Sequence, residues 1–564
     1  MGGIPTGGGV IAPCGDRQFA PGGALNNTQV SSTSGASPGA TYPSAPTSSG
    51  GAAGPSADGT SSPTGAAPAA ASGASTEERL APKRRSVTPS IAIMETLTNN
   101  VNLTDNATAR GDLVSQITPS LAIDERGSRT CLRGIVAAPA LLYVKTGGEN
   151  NKVYPSVSLI GNAEIVDRIF FVEGAILASE QFLTPFGAQP ADLSNATQNR
   201  YTSANYRVSP FIRGTTSDGI QYEVRNNNTW TTLSGAPIAT SNAYYSEWLG
   251  RLASPSGRVG WTADYDWSDV KFTNQPGQVS ELARASIYYQ PDPNVRLSAD
   301  GGYEDNRYTF TDYRDAIYGV GMQWRPTPRT NLVANWEHRF FGSSYLLSFD
   351  HRTPLSAVSA RFSRNTTSYP QTFLTVPATG NVPLLLYLIL AARFPDPAER
   401  LAIVEALINE RGLPTSLSGP VNLYTQQIYL QQDGNVTLGL LGARNSIFLV
   451  GYYRRSEAIT GAGGTLPPQL AGLNDNTQKG VTLLWSHNLD RTLVLNVSGT
   501  LSQTVAIAPL TGKTNQGIAS LRLTSIVSPN TTAFVGARYQ KLNSDVANDY
   551  TEGAVFAGFT YIFK

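Results

Sequence analysis

Charge is what this chain has least of. Only 15% of its 564 residues are charged, against roughly 25% in an ordinary soluble domain. The 42 Lys+Arg and 41 Asp+Glu leave a net charge of +1, which removes the electrostatic footprint expected for nucleic acid or an anionic surface as partner. Cysteine is nearly absent: Cys14 and Cys131 cannot build a disulfide framework or a zinc site. Long hydrophobic runs are missing too. The best one, residues 384–392, ends at Arg393, well short of the roughly 20 apolar residues a spanning helix needs. The N-terminus has no basic region followed by an apolar stretch, so no secretory signal is present. For an exported protein this leads us to expect a true start upstream of the assigned one.

Glycine (54), proline (36) and tyrosine (25) stand where the charges are missing. Residues 1–86 are rich in Gly, Ala, Ser, Pro and Thr; the first 75 carry only Asp16, Arg17 and Asp58 as charges. Such a segment buries too little apolar surface to offset its chain entropy, so it is expected to be a disordered tail. The cluster Lys83-Arg84-Arg85 that closes it reads as a solvated hinge. Residues 87–564 form the second unit.

From Val87 onward the texture becomes one of period-two alternation. In 258–268, Val259, Trp261, Ala263, Tyr265 and Trp267 oppose Arg258, Thr262, Asp264, Asp266 and Ser268. Ile220, Tyr222 and Val224 oppose Gln221, Glu223 and Arg225; Val295, Leu297 and Ala299 oppose Arg296, Ser298 and Asp300. Each segment reads as a strand with one apolar face and one charged or small face. Tight joints rich in Pro, Gly, Asp and Asn recur at 124–128, 215–219, 254–257, 290–294, 325–329, 350–354, 442–445, 487–491 and 527–531. The longer joints, at 100–112, 181–200, 272–280, 368–420, 456–476, 506–515 and 542–551, fall between them and stay in phase. A soluble sandwich has no reason to keep its long connections at one end. A transmembrane barrel does, with short periplasmic turns and longer outer loops. The fold expected is all-β: a large antiparallel transmembrane β-barrel of about 22 strands, within a range of roughly 18–24, in the outer membrane of a Gram-negative bacterium. Tyr244, Trp248, Trp261, Tyr265, Trp267, Trp336 and Phe362 are expected on its lipid face.

One outer connection carries a helical insertion at about 383–413. Asp396-Pro397-Ala398-Glu399 reads as a capping arrangement, Leu401, Val404, Leu407 and Ile408 recur at helical spacing, and Arg411-Gly412 closes the helix. Such a hairpin either folds over or into the pore, where it could gate, or caps the barrel wall.

Val555, Ala557, Phe559, Tyr561 and Phe563 share one face of the last strand. Phe559, Tyr561 and Phe563 resemble the C-terminal signal by which bacterial outer-membrane barrels are recognised by the barrel-assembly machinery, with Lys564 as one extra residue. Residues 87–103, VTPSIAIMETLTNNVNL, and 112–121, DLVSQITPSL, are similar to the opening strands of the outer-membrane β-barrels associated with the PEP-CTERM/exosortase system and exopolysaccharide gene clusters. Further similarity lies in 181–190, in Ser209-Pro210, and in the helix 396–412 followed by Gly442-Ala443-Arg444-Asn445. Leu97 and Asn99 depart from the aromatic and Asp that family favours. The resemblance covers 87–563. It implies passage of exopolysaccharide across the outer membrane, with periplasmic export components as partners. A general diffusion porin, an uptake channel and a non-conducting scaffold barrel are the alternatives.

No catalytic constellation is present, so an enzyme is not expected, and neither is a metal or other cofactor. His338 falls on an apolar face, and His351 and His487 are expected in turns. The polar face supplies the candidate pore lining: Arg207, Glu223, Arg225, Glu247, Arg251, Arg258, Asp264, Asp266, Arg284, Arg296, Asp300, Glu304, Glu337, Arg339 and Arg361. Their mixed signs suit a hydrated wall with transverse pairing better than an ion filter.

Overall fold

The computed structural model describes residues 84–563 except 236–241, 256, 274–276, 309–310, 375–381, 392, 395–399, 401–402, 405, 409–410, 415–416, 423–426, 460–474 and 508–510. The low-complexity tail and the capping segment 396–399 lie outside the described residues. In chain order the first strands are β1 (Arg84–Thr98), β2 (Asp112–Arg126), β3 (Thr130–Ala137), β4 (Ala140–Tyr143), β5 (Lys152–Val153), β6 (Ser156–Val166), β7 (Phe170–Phe182) and β8 (Arg200–Thr215). There follow β9 (Gln221–Ser234), β10 (Ala243–Ala253), β11 (Val259–Phe272), β12 (Gln278–Asp292), β13 (Val295–Tyr308), β14 (Thr311–Thr327), β15 (Thr330–Arg339) and β16 (Gly342–Arg352). The last are β17 (Ser356–Thr367), β18 (Tyr429–Leu441), β19 (Asn445–Ala458), β20 (Asn476–Asn488), β21 (Leu493–Ala506), β22 (Lys513–Ser528), β23 (Thr531–Ser544) and β24 (Tyr550–Ile562).

All belong to one antiparallel sheet that closes on itself where β1 meets β24, Ser90–Thr98 against Ala554–Ile562. β3 and β4 both pair with β2, and β6 and β5 pair with β3 and β4 in turn. Each couple is thus one interrupted stave, and the barrel has 22 staves. The interruptions face each other at Pro139 and Pro155. A proline has no amide to give to a ladder, and a closed sheet offers no edge on which to hide it. Most strands run to 11–17 residues, beyond the roughly 9–11 that cross a bilayer.

Alternation sets the two faces. Exposed large apolar side chains cover the exterior, among them Trp230, Trp248, Trp261, Tyr265, Trp336 and Phe362, and a surface this apolar is what hydrocarbon covers. Trp261, Trp324, Trp485 and Tyr561 form a belt near one end. Trp230, Tyr303, Trp336, Tyr453 and Tyr539 form a second, higher one. All ten connections at the lower end have two to five residues, while the upper end carries the segments 99–111, 144–151 with α1 (Gly147–Asn150), 183–199, 368–428 and 459–475. Both ends of the described chain lie at the lower end.

Three sequence expectations shift. β1 begins at Arg84, so part of the basic cluster pairs with β2 instead of forming a hinge. A tight turn at 167–169, missing from the expected series, supplies another pair of strands. His351 and His487 sit in the last residues of β16 and β20 instead of in turns, their Nδ1 atoms bonded to Thr330 Oγ1 and Asn445 Oδ1. His338 stacks on Tyr318 with ring centroids 4.8 Å apart.

The closing seam depends on a glycine. A Cβ on Gly558 would overlap the carbonyl oxygen of Ile93 on β1, whereas Gly553 on the same strand has nothing within 4 Å of its Cβ position. Gly558→Val is expected to abolish the SDS-resistant, heat-modifiable band of the folded barrel, and Gly553→Val to leave it in place. Equal behaviour of the two variants on unboiled gels would disprove this role of the seam.

Candidate functional site

The inner wall carries the charges. Every candidate lining residue except Arg258 alternates with the exposed apolar positions and so points into the lumen. Arg258 sits in the exposed turn before β11, donating to the Pro291 carbonyl at 3.4 Å, because the strand begins one residue later.

On the inner wall the charges meet across strands. Arg225 pairs with Glu173 at 2.6 Å and Glu223 at 3.0 Å; Arg251 pairs with Asp264 at 3.5 Å. Arg284 bonds Glu337 at 2.6 Å and approaches Asp264 at 3.7 Å. To reach Glu337 it crosses β13 and β14, where Gly302 and Gly319 leave the floor bare. Arg339 holds Glu304 at 2.6 Å across β14, both fully buried. Arg296 covers the Tyr288 ring at 3.4 Å, and Arg225 the Phe211 ring at 3.9 Å. Between these pairs the buried wall is neutral and hydrogen-bonding, as at Gln116 with Thr118, Asn205 with Thr231 and Thr482 with Thr500.

The lumen is not empty. Thr367 and Tyr429 are register partners at the upper end, so the whole segment 368–428 leaves and re-enters the wall at one point. From there it folds inward. α2 (Tyr369–Leu374) meets the wall of β8 and β10: the Tyr369 and Tyr201 hydroxyls lie 2.7 Å apart, and Gln371 Nε2 donates to the Tyr245 hydroxyl at 2.9 Å. α3 (Val382–Leu390) packs Leu385, Leu386 and Ile389 against Ala357, Leu441, Phe448, Val450 and Leu484. These inward residues all lie close to the short turns, so the helix occupies the lower mouth. A helix apolar all round needs cover on every side, and an outer loop could not give it.

Arg400, Ile403, Val404, Leu407, Ile408 and Arg411 are helical, as the spacing predicted. Gly412 at φ +56°, with the Leu413 amide donating to the Ile408 carbonyl, ends that helix. Arg411 donates to Ser446 Oγ and to the carbonyls of Gly442 and Ala443 at the lower rim. The chain then climbs the inner wall: Val421 exchanges two hydrogen bonds with Gln478, and Asn422 accepts from Arg454. Of the two placements left open by the sequence, the insertion adopts the inward one.

A second inward segment, 183–199, covers the closing seam. Arg538 on β23 pairs with Asp192 and, at 2.9 Å, with Glu552 on β24, and donates to Ser194 and Asn195. Thr98 of β1 donates to the same Glu552 at 2.7 Å. Residues from the last strands, the first strand and a distant loop thus share one buried carboxylate. Glu173, Arg538, Glu552 and Asp192 were not among the sequence candidates. The first three carry the alternation signal on their strands; a loop residue such as Asp192 carries none.

No group of three or more His, Cys, Asp or Glu that could hold a metal occurs among the described residues, and none of their helices is long and apolar enough to cross a membrane.

No protein-family model matches the sequence, and no curated protein does. Among solved structures the chain is similar to the siderophore receptor PirA from Acinetobacter baumannii (9% identity over 85% of this chain and 81% of that one, TM-score 0.45). It is also similar to the FrpB iron transporter from Neisseria meningitidis (8%, 84% and 82%, 0.45) and to the outer membrane protein opdK from Pseudomonas aeruginosa (7%, 85% and 99%, 0.33). At these identities and scores the likeness assigns no ligand.

Removing one partner of a buried pair strands the other charge, at a cost of about 3–5 kcal/mol. Arg538→Ala is therefore expected to lower unfolding stability by roughly that amount, and Arg538→Ala with Glu552→Ala by less than the sum of the two single changes. Denaturant titration of the refolded barrel measures both. Additive losses would mean the two residues do not act as a pair.

Proposed function

We propose that the protein is an outer-membrane channel for an uncharged or weakly charged polar polymer, in the direction of export, held closed at rest by the segment 368–428. The observation that carries this reading is the lumen itself. Many of its charges are spent on one another, as in Arg284–Glu337, Arg339–Glu304 and Arg225–Glu173, others such as Arg296 and Arg522 lie on aromatic rings, and neutral polar side chains fill the spaces between. A wall of this kind attracts neither cations nor anions strongly and offers hydroxyl-rich solutes many weak partners. A simple diffusion pore has no need for an apolar helix packed against the inside of its lower mouth.

The sequence resemblance to exopolysaccharide-cluster barrels supports polysaccharide as the polymer and periplasmic export components as partners. An apolar exterior with two aromatic belts supports outer-membrane lipid as the surroundings. The outward positions of Phe559, Tyr561 and Phe563 at the lower end of β24 leave them accessible to the barrel-assembly machinery.

Planar-bilayer recording tests the channel. The intact chain is expected to be closed or to open rarely. A variant with 369–427 replaced by a short Asn-Gly turn, which the Thr367–Tyr429 pairing permits, is expected to conduct steadily with little preference between cations and anions. An inserted variant that never conducts would favour the scaffold barrel. In cells, loss of extracellular polymer on deletion with unchanged small-solute uptake is expected; the opposite pattern would favour the porin.

A further inference from the structure

Lysine and arginine divide the barrel between them. Arginines carry the inner wall, whereas lysine is scarce, and only Lys479, Lys513 and Lys541 occur between residues 272 and 563. All three are exposed, occupy outward positions and lie near the upper ends of β20, β22 and β23.

Lys479 and Lys541 line a groove of about 580 Å³ on the outside of the wall, and Lys513 stands above it, two residues before Asn515 on β22. Two transverse rows build it. The upper row aligns Lys479, Gln503, Asn515 and Asn543 across four neighbouring strands. The row below aligns Val481, Leu501, Gly517 and Lys541. Gly517 leaves the floor open: a Cβ there would touch only Leu501 Cδ2, at 3.4 Å. The polar row stands at the height of Tyr453, the register partner of Lys479, and Lys541 lies two residues above Tyr539, so the lysines sit on the upper aromatic belt. No carboxylate lines the groove. Of the neighbouring carboxylates, Glu457 is taken by Arg455 and Asp549 by the Ser544 amide, while Asp545, whose amide donates to the Lys513 carbonyl, stands beside Lys513 above the groove.

Cations above and an apolar trough below are complementary to an anionic amphiphile lying along the wall. We propose that this face binds a phosphorylated glycolipid of the outer leaflet, of the lipid A type, with its phosphates among Lys479, Lys513 and Lys541 and an acyl chain over Val481, Leu501 and Gly517. The proposal rests on the membrane reading of the barrel with its long loops outward. It gives the exterior wall a specific ligand, independent of what passes through the lumen.

Native mass spectrometry of the detergent-purified full chain tests it, with bis-phosphorylated lipid A, dephosphorylated lipid A and inorganic phosphate as probes. Bis-phosphorylated lipid A is expected to bind saturably and to resist competition by excess inorganic phosphate. The triple variant Lys479→Gln, Lys513→Gln, Lys541→Gln is expected to lose about a hundredfold in affinity. Gly517→Leu fills the trough with every charge retained and is expected to weaken binding as well. Unchanged binding by the triple variant, equal binding of the dephosphorylated lipid, or full displacement by inorganic phosphate would each overturn the proposal. Heat-modifiable migration, recorded for every variant, separates the two levels. A folded wild-type barrel that takes no lipid A sinks this inference alone, whereas a wild type without heat-modifiable migration sinks the membrane reading with it.

Discussion

A backbone amide facing hydrocarbon has no water to bond, so each must find a carbonyl on a neighbouring strand, and a sheet with two free edges cannot provide that everywhere. The pairing of β1 with β24 removes the edges, and the rest of the molecule follows from it. Closure fixes an inside and an outside for every strand at once. A shift of one residue would turn the slipped strand's lumen-facing side chains outward and its apolar ones inward. The protein reinforces the seam heavily: a glycine lets Ile93 approach β24, and Arg538, Glu552, Thr98 and Asp192 join the last strands, the first strand and a distant loop through buried polar bonds.

A ring of 22 staves encloses far more space than its own inward side chains can fill. Among the described residues much of the filling comes from 183–199, with 99–103 packed beside it, and from 368–428. The 183–199 loop is bound by a charged network and belongs to the wall. The 368–428 segment is held by an apolar cluster at the lower mouth, by buried hydrogen bonds to β8 and β10, and by polar bonds along β19 to β21. The two inward loops therefore differ in kind. One is held by paired charges, the other by a buried apolar cluster and neutral or singly charged hydrogen bonds.

Much of this was legible in the sequence, for local reasons. Period-two alternation depends only on neighbouring residues, so Trp261 and Asp264 could be assigned to opposite faces. Turn chemistry is equally local, and the phase of short and long joints gave the strand number even though the turn at 167–169, with its single Asp-Arg-Ile, carries no Pro or Gly to announce it. The interior was not legible. Asp192 and Arg538 are 346 residues apart, and nothing near either one foretells the other. The insertion's position had one visible clue, the unbroken apolar run 384–392: such a run cannot stay in water, yet its eventual partners Ala357, Phe448 and Leu484 could be named only after the ring had closed.

Because the insertion leaves and re-enters the wall between the paired residues Thr367 and Tyr429, it is topologically a pendant. Among the described residues, no ladder bond of the ring passes through it. It can swing, be cut or be withdrawn while the ring remains a complete circle. In the proposed gate the bonds that hold the insertion and the ladder bonds that hold the ring are therefore separate sets.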